Sequence, residues 1–373
     1  MNFAFSDEQE ELRRTIRRFC EQRSPSTEVR RLMETTEGHD EAVWKQMAQE
    51  LGLQGLATSE QHGGQGFGFI ELGIVMEEFG RALLCAPFFS TVCLAASALA
   101  NAGGADEILQ AIAAGERIVA LAHAEANGRW DAAGITATAT PDGDGFRLDG
   151  EKTYVIDGLV ADTLIVAARA PGSAADQGVG LFLVAADADG VSREPLNTMD
   201  LTRKQARVTL AGARARALGD PGAGWAVLEK TLQQGAVMLA AECVGGAQRC
   251  LDMAVEYAKT REQFGRPIGQ FQAIKHKCAD MLLQVESART AAYYAMWAAA
   301  TGDEELPIVA SLAKAYATEA YFSVASENIQ VHGGIGFTWE HDAHLYYKRA
   351  KSSELLFGDP TYHRGLIADR LGI

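Results

Sequence analysis

Residues 257–281 read YAKTREQFGRPIGQFQAIKHKCADM. A helical pattern runs into this stretch and another runs out of it. Between them stand a cation, an aromatic, two glycines, a proline and two glutamines. Gly265 and Gly269 let the backbone turn and approach another group closely. Pro267 stops helix continuation. Arg261 offers a fixed fork of donors suited to a phosphate. Gln272 can read an acceptor–donor edge with its amide. The alternative is an interhelical turn with a solvated arginine.

Outward from this stretch the pattern is helical in both directions. Upstream, Val237, Ala241, Val244, Leu251, Val255 and Ala258 recur at three, four and seven. Downstream, Ile274, Cys278, Met281, Val285, Ala288 and Ala292 do the same, followed by Val309, Ala313, Tyr316 and Ala320. Three long helices with narrow alanine-rich seams predict an antiparallel bundle whose helices bury more than one face, including against another subunit. Gln330 to Phe337, QVHGGIGF, breaks the third helix. Its adjacent Gly333 and Gly334 expose backbone N–H groups or serve as a helix C-cap. A further helix begins near Asp342, with Tyr346, Tyr347, Lys348 and Arg349 expected on a solvated face. Gly358-Asp359-Pro360 breaks the chain again before a short last helix.

The first 117 residues read as helix after helix. Ser6 to Gln9 has the form of a capping box, and Leu12, Ile16 and Phe19 share one face. Glu71 to Leu84 carries a stripe of Leu72, Val75, Met76 and Phe79. The loop from His62 to Gly66 lacks a following G-K-[ST] and reads as a connector. From about residue 118 the pattern alternates. Phe146 and Leu148, then Asp149-Gly150, then Tyr154 and Ile156 predict a hairpin. Strands are also expected over 163–168, 179–185 and 206–210. The fold class is therefore α+β multidomain: an N-terminal helical domain (1–117), a middle β-barrel or sandwich domain (118–222) and a C-terminal four-helix bundle (223–373).

Composition narrows function. The formal net charge of −15 argues against a nucleic-acid partner, which would need a basic face. The six cysteines form no C-x-x-C pair, so a disulfide or zinc framework is not expected. Neither a signal peptide nor a run of the roughly 18 apolar residues a membrane span needs is legible, and the expected compartment is a reducing cytoplasm. His341 and His344 stand three apart near His332, without the carboxylate spacing of a metal motif; capping and packing roles are expected, and no metal.

Two separated stretches together resemble the acyl-CoA dehydrogenase flavoproteins: R-x-x-F-G-x-P-I-x-x-F-Q from Arg261 to Gln272, and Q-x-H-G-G-I-G-F-T from Gln330 to Thr338. D-G-E-K-T-Y at Asp149 to Tyr154 and the stretch from Glu340 to Lys351 agree. The resemblance implies FAD bound between subunits, α,β-dehydrogenation of an acyl-CoA thioester, and an electron-transfer flavoprotein as acceptor. It assigns Arg261, Phe264, Gln272, Gln330, Gly333 and Gly334 to the dinucleotide.

The same resemblance exposes departures. The reaction needs a carboxylate to take the α-proton. The family keeps its Glu before the Gly of a terminal Y-E-G-T, where this chain has Phe357-Gly358-Asp359, or early in the first bundle helix, where it has Gly235-Ala236. The family's T-E-P-G-A-G-S-D near the flavin corresponds to Ala124 to Asp131, with Arg129 and Trp130 able to fill flavin space. Its Trp-Ile-Thr corresponds to Tyr154-Val155-Ile156, without the hydroxyl. Three readings follow: a catalytically silent subunit completing a partner's FAD site in a hetero-oligomer, as among bacterial enzymes of steroid side-chain thioesters; a self-sufficient dehydrogenase with a relocated base, Asp359 or Glu242; or a flavin oxidase on the same scaffold. Asp359 also reads as a turn residue, and Glu242 as a buried acid paired with a cation.

Overall fold

The structure is a computed structural model and describes residues 5–373. The N-terminal region folds into α1 (Asp7–Arg23), α2 (Ser26–Met33), α3 (Glu41–Gln49), α4 (Phe69–Ala82), a π-helical turn (Phe89–Ala95) continuing into α5 (Ala96–Ala102), and α6 (Asp106–Ala113). The capping box forms: Gln9 N–H donates to Ser6 Oγ (3.2 Å) and Ser6 N–H to Gln9 Oε1 (3.0 Å). Leu72, Val75, Met76 and Phe79 of α4 are all buried. The loop after His62 is a packed connector, since a Cβ on Gly64 would lie 2.1 Å from the Thr58 carbonyl oxygen.

Seven strands follow: β1 (Val119–Ala122), β2 (Thr138–Asp142), β3 (Gly145–Ile156), β4 (Thr163–Arg169), β5 (Val179–Ala185), β6 (Val191–Pro195) and β7 (Gln205–Leu218). β4 pairs with β2, β2 with β3, β3 with β7, β7 with β5, and β5 returns to β4. The circuit closes into a barrel, which removes free edges. β1 adds alongside β4, and β6 alongside β7. Leu148, Leu164, Val166, Phe182 and Val208 fill its core. The expected hairpin at Asp149-Gly150 is corrected: both residues lie within continuous β3, at a register shift against β7. Gly150 takes φ +142°, and a Cβ there would strike Ala137 at 2.7 Å. A glycine at a bulge carries the same D-G letters as a hairpin turn. The turn comes earlier, between Asp142 and Gly145.

The C-terminal region contains α7 (Gly224–Thr260), a two-strand turn of β8 (Glu262–Gln263) and β9 (Arg266–Pro267), α8 (Gln272–Thr301), α9 (Leu306–His332), a 3-10 turn (Gly333–Phe337), α10 (Ala343–Leu355) and α11 (Pro360–Leu371). Gly302, at φ +66°, ends α8 and reverses the chain into α9. The expected seams are buried at Val237, Val244, Met281, Val285, Ala288, Val309 and Ala313. Tyr316 is exposed instead, as are Leu282, Leu283 and Leu312. On α10 the expectation of a solvated face fails, because Tyr346 and Arg349 are buried.

By contacts the chain divides into two compact units. One comprises Met1–Arg30, Phe69–Leu84 and Ala236–Ile373; the other comprises Arg31–Gly68 and Cys85–Gly235. The early helices are thus shared between the unit holding the bundle and the unit holding the barrel. Among the described residues, no helix is long and apolar enough to cross a membrane.

Candidate functional site

The antiparallel run of α7, α8 and α9 brings the two glycine-bearing stretches to one end of the bundle. The Tyr257 ring of α7 stacks on the His332 ring of α9, with centroids 4.3 Å apart and an interplanar angle of 27°. The turn after α7 folds back tightly: a Cβ on Gly269 would lie 2.8 Å from the Ala258 carbonyl oxygen. Phe264 and Gly265 both take left-handed backbone, φ +55° and +76°. That conformation is costly for a bulky side chain. It leaves the Phe264 ring 92% exposed, edge-on to Phe271, while the Arg266 guanidinium sits over the Phe271 ring.

The side chains of Arg261, Gln272 and Gln330 are exposed and have no hydrogen-bond or ion-pair partner among the described residues. In a protein with this acidic excess, an unpaired arginine is an open anion seat. Gly333 takes φ +66°, and Gly334 does not, yet a Cβ on either would meet nothing within 4 Å. Among the described residues nothing crowds a side chain out of position 334. The absence of a side chain there leaves the backbone approachable from outside. Phe337 and Trp339 are exposed beside it. The Gly333 N–H itself caps α9, donating to the carbonyl oxygens of Gln330 and Ile329. An unpaired guanidinium, two free carboxamides and an uncrowded glycine backbone suit a dinucleotide, so these residues fit the adenine-side half of FAD.

The acid–base candidates sit differently. Glu242 lies where α4 and α7 cross at paired glycines. A Cβ on Gly80 would lie 2.0 Å from the Glu242 carbonyl oxygen, and one on Gly245 would lie 1.7 Å from that of Glu77. In this contact the Glu242 carboxylate binds Arg349 Nη1 at 2.5 Å, with both residues 3% exposed. Its carboxylate is committed to a buried ion pair. Asp359 is exposed and caps α11, accepting the Tyr362 N–H at 2.8 Å. Phe357 is buried in left-handed backbone, φ +61°.

The turn between α10 and α11 is fixed by two residues that sequence reasoning missed. Lys314 of α9 has no exposed surface. It donates to the carbonyl oxygen of Glu354 at 2.7 Å and to that of Gly358, satisfying the C-terminal end of α10. Burial pulls its ammonium down to about 8. His363 Nε2 donates to the Phe357 carbonyl oxygen at 3.1 Å, and burial pushes this imidazole down to about 3. A lysine at helical spacing with Ala310, Ala317 and Tyr321 was the available signal.

In the barrel unit, Arg129 is exposed and its guanidinium is taken by Asp131 (2.5 Å), while the Trp130 ring lies 5.9 Å from that of His123. Of the two, Trp130 is the one that is half-buried. His123 is pushed down to about 3 by burial and by the neighbouring Lys152. Lys152 and Glu125 form a buried pair at 2.6 Å, and Glu125 also accepts the Thr136 and Ala137 N–H groups. Tyr154, φ +55° and half-exposed, stands at a bulge in β3, and Ile156 is buried.

Models of the N-terminal, middle and C-terminal domains of acyl-CoA dehydrogenases match residues 6–116, 120–210 and 222–372. The acyl-CoA dehydrogenase IpdE2 of Mycolicibacterium smegmatis is 35% identical over 95% of this chain and 96% of its own length. Among solved structures, the steroid acyl-CoA dehydrogenase Tcur3481–Tcur3483 superposes with a TM-score of 0.89 at 33% identity, covering 98% of each chain. A chain of the ChsE4–ChsE5 complex of Mycobacterium tuberculosis gives 0.90 at 30% identity, over 100% of this chain and 99% of that one.

Proposed function

Because this chain belongs to the acyl-CoA dehydrogenase family, whose members are FAD flavoproteins oxidising the CH–CH bond of acyl-CoA thioesters, we propose that it is the catalytically silent subunit of a paired, cytoplasmic dehydrogenase. Its role is to complete the FAD site of an active partner subunit. One contrast carries this reading. Arg261, Gln272 and Gln330 are free for a ligand, whereas Glu242 is held by Arg349 and Asp359 caps a helix. Arg261 would hold the pyrophosphate by charge-assisted hydrogen bonds, the uncrowded backbone at Gly333 and Gly334 would let it approach closely, and Gln272 and Gln330 would read the adenosine side. Bound FAD supplies the hydride acceptor. The exposed aromatics Phe264 and Phe337 and the apolar Leu282 and Leu283 fit burial against other subunits. The similarity to paired enzymes, one of them named for steroids, favours a bulky polycyclic acyl-CoA, with an electron-transfer flavoprotein as acceptor.

The test is purification of the chain alone and with its partner subunit, followed by flavin spectra and stoichiometry. The expected result is little flavin alone and one FAD per two chains in the complex. One FAD per chain alone, reduced on adding an acyl-CoA, would overturn the reading in favour of self-sufficiency.

A further inference from the structure

His332 is buried and His341 half-buried, and their rings lie 4.3 Å apart at the two ends of the segment carrying Gly333 and Gly334. Their backbone partners fix opposite tautomers. His332 Nδ1 lies 2.8 Å from the Asn328 carbonyl oxygen. A carbonyl only accepts, so this Nδ1 carries the proton and serves the C-terminal end of α9. His341 Nδ1 accepts the Ala343 N–H at 3.1 Å. Here Nδ1 must be bare and the proton must sit on Nε2. Ala343 is the first residue of α10, and its N-cap residue Asp342 gives that helix no side-chain cap. His341 therefore supplies the cap from one residue further back.

The two imidazoles respond oppositely to a proton. A protonated His332 keeps its Nδ1–H donor, and a cation at a helix C-terminus is favourable. A protonated His341 loses the lone pair that caps α10 and sets a cation against the positive end of that helix. The groups facing the pair are Tyr257 from α7, Arg30 from α2, Asp342 at the head of α10, and His344 and Lys348 along α10. Asp342 is already bound to Arg30 at 2.7 Å, so its carboxylate is shared. Burial, then the neighbouring His332, holds His341 below the usual imidazole range. The cap is intact at neutral pH and is lost only as pH falls below the usual imidazole range.

We propose that His332 and His341 are a positioning pair for the Gly333–Phe337 turn, and that protonation of His341 uncaps α10 and releases that turn. The effect on a bound nucleotide rests on the proposed function; the clasp itself does not. The first test is nitrogen NMR of the imidazoles in the wild-type chain near neutral pH. Opposite tautomers are expected, with His341 bare at Nδ1; the same tautomer at both residues would overturn the proposal. The second is hydrogen exchange of residues 333–343, corrected for intrinsic rates, at about pH 7.5 and about pH 5. Wild type should lose protection about tenfold in acid, the scale of one helix cap. His341→Asn, whose Oδ1 still accepts at either pH, should keep protection at both, and His341→Ala should lack it at both. Equal acid losses in wild type and the Asn variant would overturn the clasp. If the turn opens in acid while flavin retention in the assembled enzyme is unchanged, the clasp stands and the nucleotide assignment falls.

Discussion

The α7–α9 end of the bundle and the α10–α11 turn belong to one compact unit and share α9, yet they treat polar groups in opposite ways. At the first, Arg261, Gln272 and Gln330 are exposed and unpaired, and glycine stands at 334 where the chain has room for a side chain. At the second, Lys314, His363 and Asp359 each satisfy a backbone group, and Phe357 is buried. Nearby on α7, Glu242 is paired. Exposed unpaired groups are solvated at little cost to the fold and stay available to a ligand. Satisfied buried groups are already used by the fold. Substitutions at the closed places should therefore reduce stability, and substitutions at the open end should reduce only binding.

Glu242→Ala tests the closed side most severely. It leaves the Arg349 guanidinium buried without its partner, with an expected loss of about 3–5 kcal/mol in urea unfolding. If the near-isosteric Glu242→Gln instead cost little stability but abolished flavin reduction by acyl-CoA in the complex, Glu242 would be a base and the contrast would collapse. Next in size, Lys314→Met strands the carbonyls of Glu354 and Gly358, at about 2–3 kcal/mol. Its pH dependence has a definite sign. Burial puts Lys314 at about 8 in the folded chain, against about 10.4 unfolded. Between these values the unfolded chain binds more protons, so this residue makes stability rise with pH. The stability of wild type relative to Lys314→Met should grow from about pH 8 to about pH 10; a flat difference would mean that the ammonium is not desolvated.

Periodicity made the fold legible because three long helices repeat the same seam, and because Thr163 and Val179 open strands of uniform apolar character. It failed at Gly150, where a bulge and a hairpin turn use the same two letters, and at Tyr316, whose spacing fits the seam but whose ring is exposed. The open end of the candidate site was legible because cation, glycine and amide lie close together in sequence. Lys314 and His363 were not. Each acts on a carbonyl tens of residues away or across a turn, and a sequence carries no mark of which backbone oxygen lacks a partner. His332 and His341 were visible as ordinary capping residues, but their opposite tautomers depend on partners that only the folded chain supplies.

At the open end, Arg261→Gln removes one charge-assisted contact and should weaken FAD in the assembled complex by about ten- to a hundredfold. Thermal stability of the flavin-free chain should not change. A stability loss there comparable to that of Lys314→Met would erase the distinction between the two regions.

The smallest expected effect discriminates most finely. Asp359 is the one acid candidate that is exposed, and its Oδ1 accepts the Tyr362 N–H at the head of α11. If it is only a cap, Asp359→Ala should cost about 1 kcal/mol and Asp359→Asn almost nothing, because an asparagine oxygen caps as well as a carboxylate. A relocated base predicts the reverse ranking in activity: Asp359→Asn keeps the hydrogen bond but cannot take a proton, so flavin reduction would vanish while the melting temperature stayed put. Measuring both quantities on that single variant separates a helix cap from a catalytic base. The cap requires flavin reduction in the assembled enzyme to survive the substitution unchanged.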